Sequence, residues 1–190
     1  MIRIVGGTAG GRLLSTPKGR NTRPTSDRAR EGLFSSVESA RSLAGARVLD
    51  LYAGSGALGL EALSRGAAAV VLVEADRTVC GVLRANVAAL RLPGAEVVAG
   101  RVADVVAQPA RAPFDVLLAD PPYAIAAAEV AEVLAAAAAN GWLAPQALVV
   151  LERATRDSEF GWPGGFEALR ERKYGEATLW FATFRGDTSG

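Results

Sequence analysis

The stretch Val48-Leu49-Asp50-Leu51-Tyr52-Ala53-Gly54-Ser55-Gly56-Ala57-Leu58-Gly59 decides the fold. Its apolar start reads as a buried strand, its paired glycines as a tight turn, and its Ala- and Leu-rich end as the opening of a helix. Gly54 and Gly56 let the chain turn where a Cβ would clash, and let a ligand approach the backbone. Glu74 closes the next β-rich run, Ala69–Glu74, twenty residues beyond Gly54. A carboxylate there accepts hydrogen bonds from both hydroxyls of a ribose. Taken alone, Gly-x-Gly-x-x-Gly fits a nicotinamide dinucleotide site as well.

Two acids separate the readings. Asp50 lies inside the strand, four residues before the first glycine. It would repel a pyrophosphate but welcome a sulfonium amino acid with its ammonium group; otherwise it is an acid that braces the turn. Asp104 follows the third strand of the pattern and is expected to reach an adenine amine.

Outward from this core, strands and helices alternate. Helices are expected over residues 57–65, from an Asp76 cap onward, and over 126–139; strands over 47–51, 69–74, 96–99, 114–119 and 147–152. Residues 166–174 and 178–184 follow with only Gly175-Glu176 between them, the pattern of an antiparallel hairpin. Toward the N-terminus, residues 3–5 and 12–15 read as short strands around a glycine-rich turn. A helix capped by Ser26 or Asp27 then carries Ala29, Leu33, Phe34 and Val37 on one face. The expected class is α/β, a doubly wound, mostly parallel seven-stranded sheet with a C-terminal antiparallel hairpin and a small N-terminal hairpin and helix. Residues 1–45 form the extension and 46–190 the catalytic domain.

Asp120-Pro121-Pro122-Tyr123 falls at the carboxyl end of the fourth strand of that pattern, where doubly wound sheets bind ligands. The prolines fix an extended backbone and donate no N–H, so Asp120 and the neighbouring carbonyls form a cluster of acceptors. Such a cluster holds an NH2 group and aims its lone pair at an electrophile. Tyr123 offers a flat face on which a base stacks. An Asp-Pro-Pro turn that merely leaves a strand is the plainer alternative.

The chain has 190 residues, one cysteine and no histidine. A disulfide framework, a Cys-based zinc site and His-dependent triads or metal ligands are therefore excluded. No apolar run approaches the roughly 18 residues of a membrane span, and the first residues lack a signal peptide's apolar stretch; the expected compartment is the cytoplasm. The net charge of +1 divides into +6 over residues 1–47 and −5 over the remainder. A basic, glycine-rich arm is either a phosphate grip or a solvated tail. As a grip it would be dispensable for the fold, because the βα alternation starts near residue 46.

The 50–56 turn, Glu74, Asp104 and Asp120-Pro121-Pro122-Tyr123 resemble the motifs of class I S-adenosylmethionine (SAM)-dependent methyltransferases acting on amino nitrogens. Arg3-Ile4-Val5-Gly6-Gly7, Arg23-Pro24-Thr25-Ser26-Asp27-Arg28-Ala29-Arg30-Glu31 with Leu33-Phe34, and Tyr174-Gly175 resemble the RsmD family, bacterial guanine-N2 methyltransferases of small-subunit ribosomal RNA. The resemblance spans essentially the whole chain. It implies methyl transfer from SAM to a guanine N2 on an assembled or partly assembled small subunit, by a monomer without metal. It implies that Asp50, Tyr52, Gly54, Ser55, Gly56, Glu74, Ala75, Arg101, Val102 and Asp104 hold the cofactor, and that Asp120, Pro121, Pro122 and Tyr123 hold the flipped base. The arm becomes an RNA surface carrying Arg3, Arg12, Arg20, Arg23, Thr25 and Arg28, joined by Tyr174. The alternatives are an adenine-N6 or other amino-nitrogen methyltransferase, a non-catalytic RNA-binding module, and an NAD-linked oxidoreductase.

Overall fold

A computed structural model of the chain describes residues 1–19 and 25–186. The doubly wound part runs β3 (Arg47–Leu51), α2 (Ala57–Ser64), β4 (Ala69–Glu74), α3 (Arg77–Leu90), β5 (Ala95–Ala99), α4 (Val102–Val106), β6 (Phe114–Ala119), α5 (Ala127–Ala139) and β7 (Leu143–Ala154). It closes with β8 (Phe166–Tyr174) and β9 (Ala177–Phe184). The seven strands lie in the order β5-β4-β3-β6-β7-β9-β8, parallel except where β9 pairs with β7 and β8. This is the expected Rossmann-like sheet with its closing hairpin.

Side chains alternate between two cores, as the strand period of two demands. Val48, Val116 and Leu118 face one; Leu49, Leu51, Leu117 and Ala119 face the other, over α4 and α5. The short helix α4, which periodicity did not reveal, turns the chain after β5. β7 is longer than expected because it starts at Leu143 and passes through Gln146 at a positive φ of 68°.

The N-terminal strands β1 (Ile2–Arg3) and β2 (Leu13–Leu14) pair antiparallel, and α1 spans Asp27–Ala40. Ser26, not Asp27, caps α1 by accepting from the Ala29 N–H. The hairpin is part of the body of the protein. Ile4 and Leu14 are fully buried in the same core as Phe34, Leu60 and Leu72. Glu61, itself fully buried, accepts 2.8 Å hydrogen bonds from the Val5 and Gly6 amides. Gly7, at φ +76°, lies so close to α2 that a Cβ would stand 2.0 Å from the Ser64 carbonyl oxygen. The expectation of a detachable arm is thereby corrected: residues 1–14 supply core.

Candidate active site

The sheet order reverses between β3 and β6, which opens a crevice at their carboxyl ends. A cavity of about 850 Å³ fills it, lined by the ends of β3, β4, β6 and β7 and walled on one side by Ile2, Thr16, Pro17, Thr25 and Arg30.

The glycine turn forms one wall. Tyr52 leaves β3 at φ 61°, an uncommon conformation for a side-chain-bearing residue that here turns the chain into the loop. Gly54 follows at φ +57°, with open space where a Cβ would be. Gly56 has another duty. A Cβ there would stand 2.5 Å from Leu83 and 3.0 Å from Leu60, so the second glycine lets α2 and α3 pack and is not on the cavity wall. Tyr52, Ser55 and Ala75 do line the cavity.

Glu74 is buried and binds the loop from both sides, accepting the Gly54 N–H at 2.9 Å and the Asp76 N–H at 2.9 Å. Each oxygen keeps a second lone pair for a ligand hydroxyl. Asp50, also buried, accepts the Gly59 N–H at 2.8 Å and so braces the start of α2 while lining the cavity. Burial, aided by the Glu74 charge and opposed by the Gly59 hydrogen bond, pushes its pKa up to about 7. A cation in the cavity relieves that cost.

Asp120, at the end of β6, lines the cavity with Pro121, Pro122 and Tyr123. Burial, then the charges of Glu152 and Asp50, raise its pKa well above the usual carboxylate range. The Pro122 carbonyl already accepts the Ile125 N–H at 3.0 Å, and the buried Arg153 donates to the Ile125 carbonyl at 2.8 Å. The guanidinium of exposed Arg156 lies 5.9 Å from the Tyr123 ring centroid at the cavity wall.

Several expected site residues are elsewhere. Arg101 and Val102 line the cavity, whereas Asp104, expected to meet the adenine, is exposed on α4 outside the cavity lining. Arg3 pairs with Asp27 at 2.6 Å. Arg12 donates to the Leu90 carbonyl at 2.8 Å and to the Ala89 carbonyl, closing the last turn of α3. Arg28 is exposed on α1, away from the cavity. Tyr174 packs on α1, its hydroxyl where a Gly32 Cβ would be, and is no part of the cavity. Arg20 and Arg23 lie outside the described residues. Of the arm candidates, Thr25 lines the cavity.

Among the cavity residues not foreseen as site residues are two buried charged side chains. Glu152 is a buried acid within the apolar run of β7, and its place there was the available signal. Arg30 sits on the apolar face of α1, three residues before Leu33, with 1% of its surface exposed. Its Nη2 donates to Asp27 at 2.6 Å, while its Nε and Nη1 have no hydrogen-bond partner among the described residues.

The family model described as "Conserved hypothetical protein 95" matches residues 2–183. Ribosomal RNA small subunit methyltransferase D of Escherichia coli (strain K12) is 39% identical over 175 residues, covering 92% of this chain and 86% of its own. The protein of the same name from Haemophilus influenzae is 36% identical, covering 92% and 89%. The chain belongs to the RsmD family. The solved structure of yhhF from Escherichia coli, 35% identical, superposes with a TM-score of 0.87 over 98% of this chain and 99% of that one. This RsmD-family chain is a SAM-dependent methyltransferase, and its cavity fits that cofactor. Gly54 leaves room against the backbone, Glu74 keeps lone pairs for ribose hydroxyls, Asp50 gains from a nearby cation, and Arg30, whose Nη1 faces Glu61 at 3.9 Å, has an Nε donor without a hydrogen-bond partner among the described residues. Among the described residues no group of three His, Cys, Asp or Glu is placed to hold a metal ion, and no helix is long and apolar enough to cross a membrane.

Proposed function

We propose that this chain transfers a methyl group from SAM to the exocyclic N2 amine of a guanine in small-subunit ribosomal RNA. The reaction takes place in the cytoplasm, on an assembled or partly assembled subunit, with the enzyme acting as a monomer. The observation that carries the reading is Asp120: a half-buried carboxylate beside two prolines, opening on the same cavity as Gly54 and Glu74. The names of the Escherichia coli and Haemophilus influenzae relatives support the RNA substrate.

When bound, SAM supplies a methyl group made electrophilic by its sulfonium. Glu74 would hold the ribose hydroxyls, Arg30 the amino-acid carboxylate, and Asp50 the ammonium. Ser55, Ala75, Arg101 and Val102 complete the enclosure. Asp120 and a neighbouring carbonyl accept the two N–H groups of the amine, which turns the nitrogen lone pair toward the methyl. Positive charge grows on nitrogen during attack, and acceptors already in place stabilise it without reorganisation. The raised pKa of Asp120 also makes its ionised form a better acceptor for the proton that nitrogen then sheds. Tyr123, with Arg156 beside it, stacks the flipped base.

The test is transfer of tritiated methyl from SAM to small-subunit RNA and particles from cells lacking the gene, followed by nucleoside analysis. Label in N2-methylguanosine is expected. Label in N6-methyladenosine, or none, overturns the reading.

A further inference from the structure

An acceptor cluster that holds an NH2 group does not by itself distinguish guanine from adenine, since both carry an exocyclic amine. Something beside Asp120 has to read the rest of the base edge. Glu152 is the group in position to do so. β6 and β7 run parallel with Ala119 level with Leu151, so Asp120 and Glu152 are the next residues along two adjacent strands. Parallel neighbours lie about 4.8 Å apart, which places the two carboxyl groups side by side at the cavity.

Glu152 is 6% exposed, and its side-chain hydrogen bond is from the Thr25 hydroxyl at 3.1 Å. No cation pairs with it among the described residues. Burying an acid is costly, and a strand of Val and Leu gives no packing reason for it. Its carboxyl therefore keeps acceptor capacity at the cavity beyond what Thr25 uses.

We propose that Glu152 is the specificity-determining residue: it accepts the N1–H of guanine while Asp120 holds the adjacent N2 amine. The proposal rests on the guanine-N2 reading above. Guanine presents two neighbouring donors, N1–H and N2–H, to two neighbouring carboxyl groups. Adenine presents a lone pair at N1, and a carboxylate facing a lone pair rejects it. Burial holds the pKa of Glu152 above the ordinary glutamate value, against the pull of Thr25; a donor from the base offsets that cost.

The test replaces the target guanine, once mapped, with 2,6-diaminopurine by splint ligation into small-subunit RNA. This base keeps the N2 amine but carries a lone pair at N1. The wild-type enzyme is expected to prefer guanine by about 100-fold or more in kcat/KM, because the mismatch leaves a buried acceptor facing an acceptor. Glu152→Gln keeps the shape and an acceptor for Thr25, and its amide N–H is able to donate to N1. It is expected to slow guanine and to reduce the guanine preference at least about tenfold, with SAM affinity unchanged by calorimetry. A role confined to structure would slow both substrates alike. Equal wild-type rates on the two bases, or an unmoved ratio in a folded variant, overturn the proposal. If the variant does not fold, the wild-type ratio decides. Methylation of RNA without any N2-methylguanosine is a different failure, that of the guanine-N2 reading, and the proposal falls with it.

Discussion

Arg12 and Leu90 are joined by a 2.8 Å hydrogen bond from the guanidinium to the last carbonyl of α3. The positive charge thus sits at a helix C-terminus, where unpaired carbonyls and the helix dipole both favour it. A residue that charge counting assigns to RNA is spent on the fold. Arg12→Ala is expected to cost about 1 kcal/mol in urea unfolding and to leave the salt dependence of RNA binding unchanged. A salt slope reduced by about one unit would return Arg12 to the RNA surface.

Removing residues 1–14 is expected to be far more damaging. Ile4 and Leu14 are fully buried, and each contributes about 2 kcal/mol by burial alone. Glu61 would also lose two amide partners inside the core. The truncated chain should be unfolded or aggregated at 25 °C by circular dichroism. A cooperative thermal transition near that of the full chain would disprove this account of the hairpin.

Gly54 and Gly56 should separate ligand binding from packing. Both have positive φ, so alanine strains both, but only at Gly56 does the new methyl meet Leu83 and Leu60. Gly56→Ala is expected to lose about 2–3 kcal/mol of stability through overpacking and backbone strain. Gly54→Ala should lose roughly 1 kcal/mol, and its main effect should be weaker SAM binding, measured by calorimetry. Equal stability losses would show that both glycines are packing residues.

In the proposed reaction Asp120 serves the amine and Glu74 the cofactor. Asp120→Ala should reduce turnover by more than tenfold, since removing one transition-state acceptor costs about 3 kcal/mol, with SAM affinity nearly intact. Glu74→Ala should weaken SAM binding by about 1.5–3 kcal/mol. It should also lower the melting temperature, because the Gly54 and Asp76 amides lose their acceptor. An unchanged dissociation constant would move the ribose contact elsewhere.

Asp50 gives a pH signature. Its folded pKa is raised from 3.8 to about 7, so the folded state binds its proton more tightly than the unfolded chain does. Its contribution to stability is full below the unfolded pKa and is lost as pH rises from about 4 through about 7. The ligand-free enzyme should therefore lose stability over that window, with about 4 kcal/mol as the ceiling from this group. Asp50→Asn keeps an acceptor for the Gly59 amide and should make the profile shallower, leaving the part that the raised pKa values of Asp120 and Glu152 contribute. If urea midpoints of wild type and variant change in parallel between pH 5 and 8, Asp50 is not the group responsible.

The alternation of strands and helices, the glycine turn, Glu74 and the Asp120-Pro121-Pro122-Tyr123 cluster were all legible in the sequence. Each is encoded locally: a period of two or 3.6, a turn that needs glycine, an acceptor cluster that needs proline. The sequence by itself therefore determined the sheet, the cofactor and which motifs meet at the cavity. What only the tertiary structure decided is which long-range partner each side chain finds. Arg3 meets Asp27, Arg12 meets the end of α3, and Tyr174 lies over Gly32. Gly56 yields to Leu83, Asp104 turns outward on an unforeseen short helix, and Glu152 arrives beside Asp120 from a strand thirty-two residues away. A formal charge or a spacing does not distinguish a phosphate from a helix carbonyl. That distinction depends on what the fold brings within about 3 Å of the side chain.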